Sequence, residues 1–260
     1  MIRQLIAVII FCAGFTGGYA QIVSKDLTAG NYKISLEWND SVFYSGNIVV
    51  QEEGNSTNSF TASGFHSGYN WDSLADLNND GINEYIIELE TGETRSDYNM
   101  YLIFDFTKSI QPLYKVHNAE IITGVDKTPV IVSNMRLGPP AMEAKYSYVL
   151  KYDKGKLHTL TNPDESKVLK ELVPFEEDYS DLISSYAGKA DPCGENSDVK
   201  NYYAAYIVQQ KIVNNEDAGW KFFDKNYTCS NKNDMKAEIK KIADDNYSKI
   251  TNPGSFNFNQ

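Results

Sequence analysis

Asp76-Leu77-Asn78-Asn79-Asp80-Gly81-Ile82-Asn83-Glu84 is the stretch of this chain best equipped for chemistry. Counted from Asp76, side-chain oxygens stand at positions 1, 3, 5 and 9, and Gly81 stands at position 6, where the chain must turn sharply. Calcium takes six to eight oxygens at about 2.3–2.6 Å in a flexible geometry, and this spacing lets one segment wrap one ion. Asp76, Asn78 and Asp80 would each give a side-chain oxygen. Ile82 would give its backbone carbonyl, and Glu84 would close the shell. Magnesium suits the loop less, because it keeps its waters and demands a strict octahedron. The expected ion is structural: it would offset clustered acids and fix the turn. The same residues also describe an ordinary Asn/Asp-rich turn between two strands with no ion, and both readings stay open here.

The first six positions match an EF-hand loop, but the rest does not. Ile87 stands at position 12, where the EF-hand places a bidentate Glu, and Tyr85–Leu89 reads as a strand rather than a helix. A nine-residue DxNxDGxxE loop entering a strand resembles instead the FG-GAP or VCBS type of repeat of integrin-α-like propellers. The resemblance covers roughly Leu74 to Tyr114. It implies calcium at Asp76, Asn78, Asp80, Ile82 and Glu84. A second unit departs from the pattern: Asp126-Lys127-Thr128 lacks the acidic series, so no ion is expected there.

Other constellations are weaker. There is no HExxH, no GxSxG and no phosphate-cradling Gly loop, so no catalytic residue is assigned. Glu88, Glu90, Glu93 and Asp97 could supply paired carboxylates for glycoside hydrolysis. Glu88 and Glu90, two apart on a strand, read more simply as its solvated face. His66 beside Ser67 reads as a loop, because neighbours on a strand point to opposite faces. Neither His66, His117 and His158 nor the cysteines show zinc spacing.

The elements that must position the loop change character near residue 160. Before it, β-branched and alternating runs dominate: Tyr32–Trp38, Asn47–Gln51, Tyr85–Leu89, Met100–Phe106, Val130–Ser133 and Tyr146–Tyr152. Asp153–Gly155 reads as a hairpin turn. Runs after the Asp76 loop recur after Asp126, displaced by 44 to 48 residues, a spacing seen in propeller blades. The β region has room for three such units at most, which predicts a sandwich or an open stack of blade-like sheets rather than a closed propeller.

Beyond residue 160 the apolar spacing is helical. Asn162-Pro163 starts a helix that ends before Pro174. Tyr179, Leu182, Ile183 and Tyr186 mark a second, with Gly188 as its stop. Ser197 would cap a third, and Asn233 a fourth carrying Met235, Ile239, Ile242 and Ala243 on one face. Between the last two, Trp220, Phe222 and Phe223 are expected to pack in the core. The predicted fold is α+β: an antiparallel β domain over 21–160, a small helical domain over 161–250 and a loose tail over 251–260.

Residues 1–20 read as a secretory signal. Arg3 precedes the apolar run Leu5–Cys12, and Gly18-Tyr19-Ala20 fits the small-x-small cleavage rule. That run is shorter than the roughly 20 residues a membrane span needs. A lipid anchor at Cys12 is disfavoured by bulky Ile9, Ile10 and Phe11. Export leaves Cys193 and Cys229, which most simply form one disulfide. The expected location is the periplasm or the extracellular space.

Composition narrows the partners. A hydrophobic share of 42% is enough for a core, and a net charge of −11 excludes a nucleic-acid footprint. The expected function is that of an exported, calcium-binding, non-enzymatic binding protein whose partner is a protein or a glycan. The acidity suits a basic protein, and an inhibitor of a cell-wall hydrolase is one specific form of this reading. The competing expectation is a secreted hydrolase acting on carbohydrate through acidic residues.

Overall fold

The computed structural model describes residues 22–39, 46–65, 68–90, 99–117, 119–123, 127–138, 144–161, 176–187, 191–194 and 197–251. The signal segment with Cys12, the helix from Asn162, Gly188, His66, Ser67, Glu93, Asp97 and residues 252–260 lie outside them. The fold is α+β, with three antiparallel sheets followed by helices.

Each sheet is a four-stranded meander. Sheet A holds β1 (Ile22–Ala29), β2 (Tyr32–Asn39), β3 (Gly46–Glu52) and β4 (Asn55–Phe65). Sheet B holds β5 (Tyr69–Ala75), β6 (Glu84–Glu90), β7 (Asn99–Phe104) and β8 (Tyr114–His117). Sheet C holds β9 (Ala119–Thr123), β10 (Pro129–Leu137), β11 (Ala144–Asp153) and β12 (Lys156–Thr159). The sequence repeat matches this topology: the runs displaced by 44 to 48 residues are the second, third and fourth strands of sheets B and C. Asp153 pairs with Lys156 across a two-residue turn, as expected for the hairpin.

The sheets stack in chain order. Leu27, Ile34, Leu36, Ile48 and Val50 of sheet A pack with Tyr85, Ile87, Leu89, Met100, Leu102 and Phe104 of sheet B. The opposite face of sheet B gives Ile86, Tyr101 and Ile103 to a second core, shared with sheet C and the helices. Sheet B is therefore buried on both faces, which is why its strands read as near-continuous apolar runs. Asp105 and Phe106, expected at the end of its third strand, lie instead in the turn after β7.

Among the described residues four helices follow: α1 (Glu176–Ala187), α2 (Val199–Ile212), α3 (Glu216–Asn226) and α4 (Lys232–Thr251). They share one core with sheet C, so the boundary at residue 160 separates types of secondary structure but not hydrophobic cores. β12 pairs with β11 only from Leu150 to Asp153, and the helices serve the rest of that edge. Tyr179 of α1 donates to the Lys145 carbonyl, and the Ser147 N–H donates to Gln209 of α2 at 2.8 Å. Such pairing covers strand groups that would otherwise be left open.

Several helical details correct the sequence reading. Leu182 is exposed, while Tyr179 and Tyr186 face the core. Asp198 stands at the N-cap of α2 without a side-chain cap bond, while the Ser197 hydroxyl, expected to cap, accepts the Val199 N–H at 3.4 Å. Tyr186 supports this start: its hydroxyl accepts the Asp198 N–H at 2.9 Å and the Ser197 hydroxyl at 3.1 Å. Asn233 sits inside α4, which starts one residue earlier. Phe222 and Phe223 are core residues as expected, but their segment is itself a helix. Thr251 belongs to α4 rather than to a tail. No helix among the described residues is long and apolar enough to cross a membrane.

In a meander, the first and third turns fall at the same end of the sheet. Contacts between sheets show that these ends coincide. Asn79 in the first turn of sheet B bonds Thr128 before β10, Lys108 in its third turn lies over Tyr152, and Tyr32 beside the first turn of sheet A stacks on Phe106. The Asp76–Glu84 loop belongs to this end of the stack. The turns at the other end, 40–45, 91–98 and 139–143, lie outside the described residues.

Candidate metal centre

Ala75 and Glu84 are cross-strand partners, so residues 76–83 are the whole connection of the β5–β6 hairpin. Leu77 anchors it: only 1% exposed, it belongs to the core shared by sheets B and C and the helices. The Asp76 carboxylate accepts the backbone N–H of Asp80 at 3.1 Å and of Gly81 at 2.9 Å. Asn78 Oδ1 accepts the Asp80 N–H at 2.9 Å, and Asp80 Oδ1 accepts the Ile82 N–H at 2.8 Å. Reversal of the chain needs left-handed backbone at Asn79 (φ +60°) and Gly81 (φ +86°), the two residue types that tolerate it best.

These bonds draw three of the expected ligands together. Asn78 Nδ2 lies 2.9 Å from Asp80 Oδ2 and 3.4 Å from Glu84 Oε1. Glu84 Oε2 accepts the Leu77 N–H at 2.7 Å. Both Asp76 oxygens accept backbone amides, one of them the Asp80 N–H that Asn78 Oδ1 also accepts, and the Ile82 side chain is half exposed. Among the described residues no group of three or more His, Cys, Asp or Glu side chains could hold a metal ion by itself. Any shell here would also need Asn78 and a backbone carbonyl. Oxygen donors alone are the kind that hard cations such as calcium take. Asn78 would have to present its carbonyl oxygen where its amide nitrogen now meets the two carboxylates.

The electrostatics are those of crowded acids. Glu84 is 2% exposed, and burial, reinforced by the charges of Asp105 and Asp80, pushes its carboxyl up to about 7. Asp105, 3% exposed in the β7–β8 turn, goes the other way. Burial works against its charge, but hydrogen bonds from Thr107, Tyr152 and Lys108 outweigh it and hold the carboxyl below the usual range. Tyr152 donates to Asp105 at 2.6 Å and Lys108 pairs with it at 3.0 Å.

The loop also reaches across to sheet C, which the sequence did not reveal. Asn79 Nδ2 donates to Thr128 Oγ1 at 2.7 Å, and Thr128 is buried. The available signal was the repeat itself, which sets the Asp76 and Asp126 turns at equivalent places in neighbouring sheets.

Glu88 corrects a second expectation. It is 2% exposed rather than solvated, and its Oε1 accepts Asn70 Nδ2 at 2.8 Å and Asn99 Nδ2. It thereby joins β5, β6 and β7 on the face toward sheet C. The carboxylate and burial together push the Tyr101 hydroxyl above its usual range, with burial the larger cause. Asp72 plays a similar part toward sheet A, accepting from Tyr69 and, at 2.7 Å, from Tyr85. Burial and the Asp72 bond push Tyr69 up to about 12. These acids tie neighbouring strands together through hydrogen bonds from Asn70, Asn99, Tyr69 and Tyr85.

Cys193 and Cys229 lie at disulfide distance, with Cα atoms 5.5 Å apart, and tie the loop before α2 to the loop before α4. Comparison with protein families, curated proteins and solved structures gives no match for this chain.

Proposed function

We propose that this chain is an exported, calcium-binding protein that acts by binding rather than by catalysis. The observation that carries the reading is the Asp76–Glu84 loop, in which Asn78, Asp80 and Glu84 converge on one point while Asp76 ties the turn. Asp76, Asn78, Asp80 and Glu84 would hold the ion together with the Ile82 carbonyl. The ion would offset three clustered negative charges down to one and fix the end of sheet B. Export is supported by the signal-like residues 1–20 and by the cysteine pair, a cross-link that persists in oxidising compartments.

The partner is a protein or a glycan, and the net charge of −11 favours a basic protein, including a cell-wall hydrolase held inhibited. The deciding experiment is thermal unfolding of the chain from Gln21 onward with and without calcium, beside pull-down from cell-wall extracts. Calcium is expected to raise the melting temperature, and Asp76→Ala with Asp80→Ala to abolish the rise. An unchanged melting curve at several millimolar calcium overturns the metal assignment. Turnover of glycans or cell-wall fragments overturns the non-enzymatic one.

A further inference from the structure

We draw no further inference here: the strongest candidate, the interhelical cleft of about 310 Å³ beside the Cys193–Cys229 pair, walled by Ile183 and Ser184 of α1 and Val199 and Tyr203 of α2, carries nothing because no charged side chain among the described residues lines it and nothing in the structure shows what covers it.

Discussion

Sheets A and C are the same four-stranded meander placed on opposite sides of sheet B, yet they live in different surroundings. Sheet A buries one face, and its strands alternate: Ile34 and Leu36 are fully buried while Lys33, Ser35 and Glu37 beside them are not. Sheet C is covered on both sides, by sheet B and by the helices, and β11 is buried almost without interruption from Tyr146 to Leu150. The stack therefore ends in two ways. At sheet A it ends on a polar face that water can cover. At sheet C it ends on a helical layer that shares the sheet's core. One chain topology tolerates both because the outer face of each meander is set by side chains and not by its hydrogen-bonded ladder.

The sharpest way to break this contrast is to hollow out the helical end. Phe223 is fully buried and packs its ring against Tyr203, Tyr227 and Trp220. Phe223→Ala should lower stability by about 3–5 kcal/mol. If sheet C and the helices are one unit, helical circular dichroism and tyrosine fluorescence will fall together in urea. A helical signal lost well before the fluorescence would mean that the layer is separable from the sheets.

Next in size is the cross-link. Cys193 and Cys229 close a loop with a sequence separation of 36, and chain-entropy arguments give about 3–4 kcal/mol for such a loop. Reduction, or Cys193→Ser with Cys229→Ser, should lower the melting temperature. Amide exchange should quicken first in α2 and α4, with β2 and β3 of sheet A protected longest. Equal loss of protection at both ends of the stack would contradict a helical layer held by its own staple.

How much of this was legible follows from what each segment buries. Sheet B and the middle of sheet C announce themselves because both faces of their strands are apolar. β1 and β4 do not, since IVSKDLTA and NSTNSFTASGF carry few apolar residues and lean on pairing with β2 and β3. The helix α3 is short and carries Gly219, a residue type that weakens helix interiors. In the fold it is a contact: a Cβ there would stand 3.0 Å from the Ile207 Cα, so glycine lets α3 approach α2 closely. Glu88 departs from the strand rule that assigns a charged residue to solvent, because its two neighbouring strands bring it neutral donors, Asn70 and Asn99. The loop's ligand spacing is local and was readable. Its tie to Thr128 spans 49 residues and was not.

The Asp76–Glu84 loop, if it takes the proposed calcium, tests the middle of the stack. At a dissociation constant of about 0.1–1 mM, roughly 5 mM calcium should add about 1–2 kcal/mol. The gain should appear as a higher melting temperature in the wild type and vanish in Asp80→Ala. Calcium that stabilises sheet A as strongly as sheet C in amide exchange would argue against the loop as the site, since Leu77 and Asn79 both reach toward sheet C.

The smallest effect is the most specific. Asn79 donates a hydrogen bond to Thr128 between the loop of sheet B and the entrance to sheet C. Thr128→Val should lower stability by about 0.5–1.5 kcal/mol, the usual worth of such a bond. Asn79→Ala should lower it further, because alanine tolerates the left-handed backbone at φ +60° less well than asparagine. Only the excess shared by the two mutations reports the bond, so the double mutant is needed to separate it from the backbone strain. A coupling of several tenths of a kcal/mol or more would show that the loop holds sheet C in place. Strict additivity would confine the loop's influence to its own hairpin, and sheet C would then depend on sheet B through the buried apolar core alone.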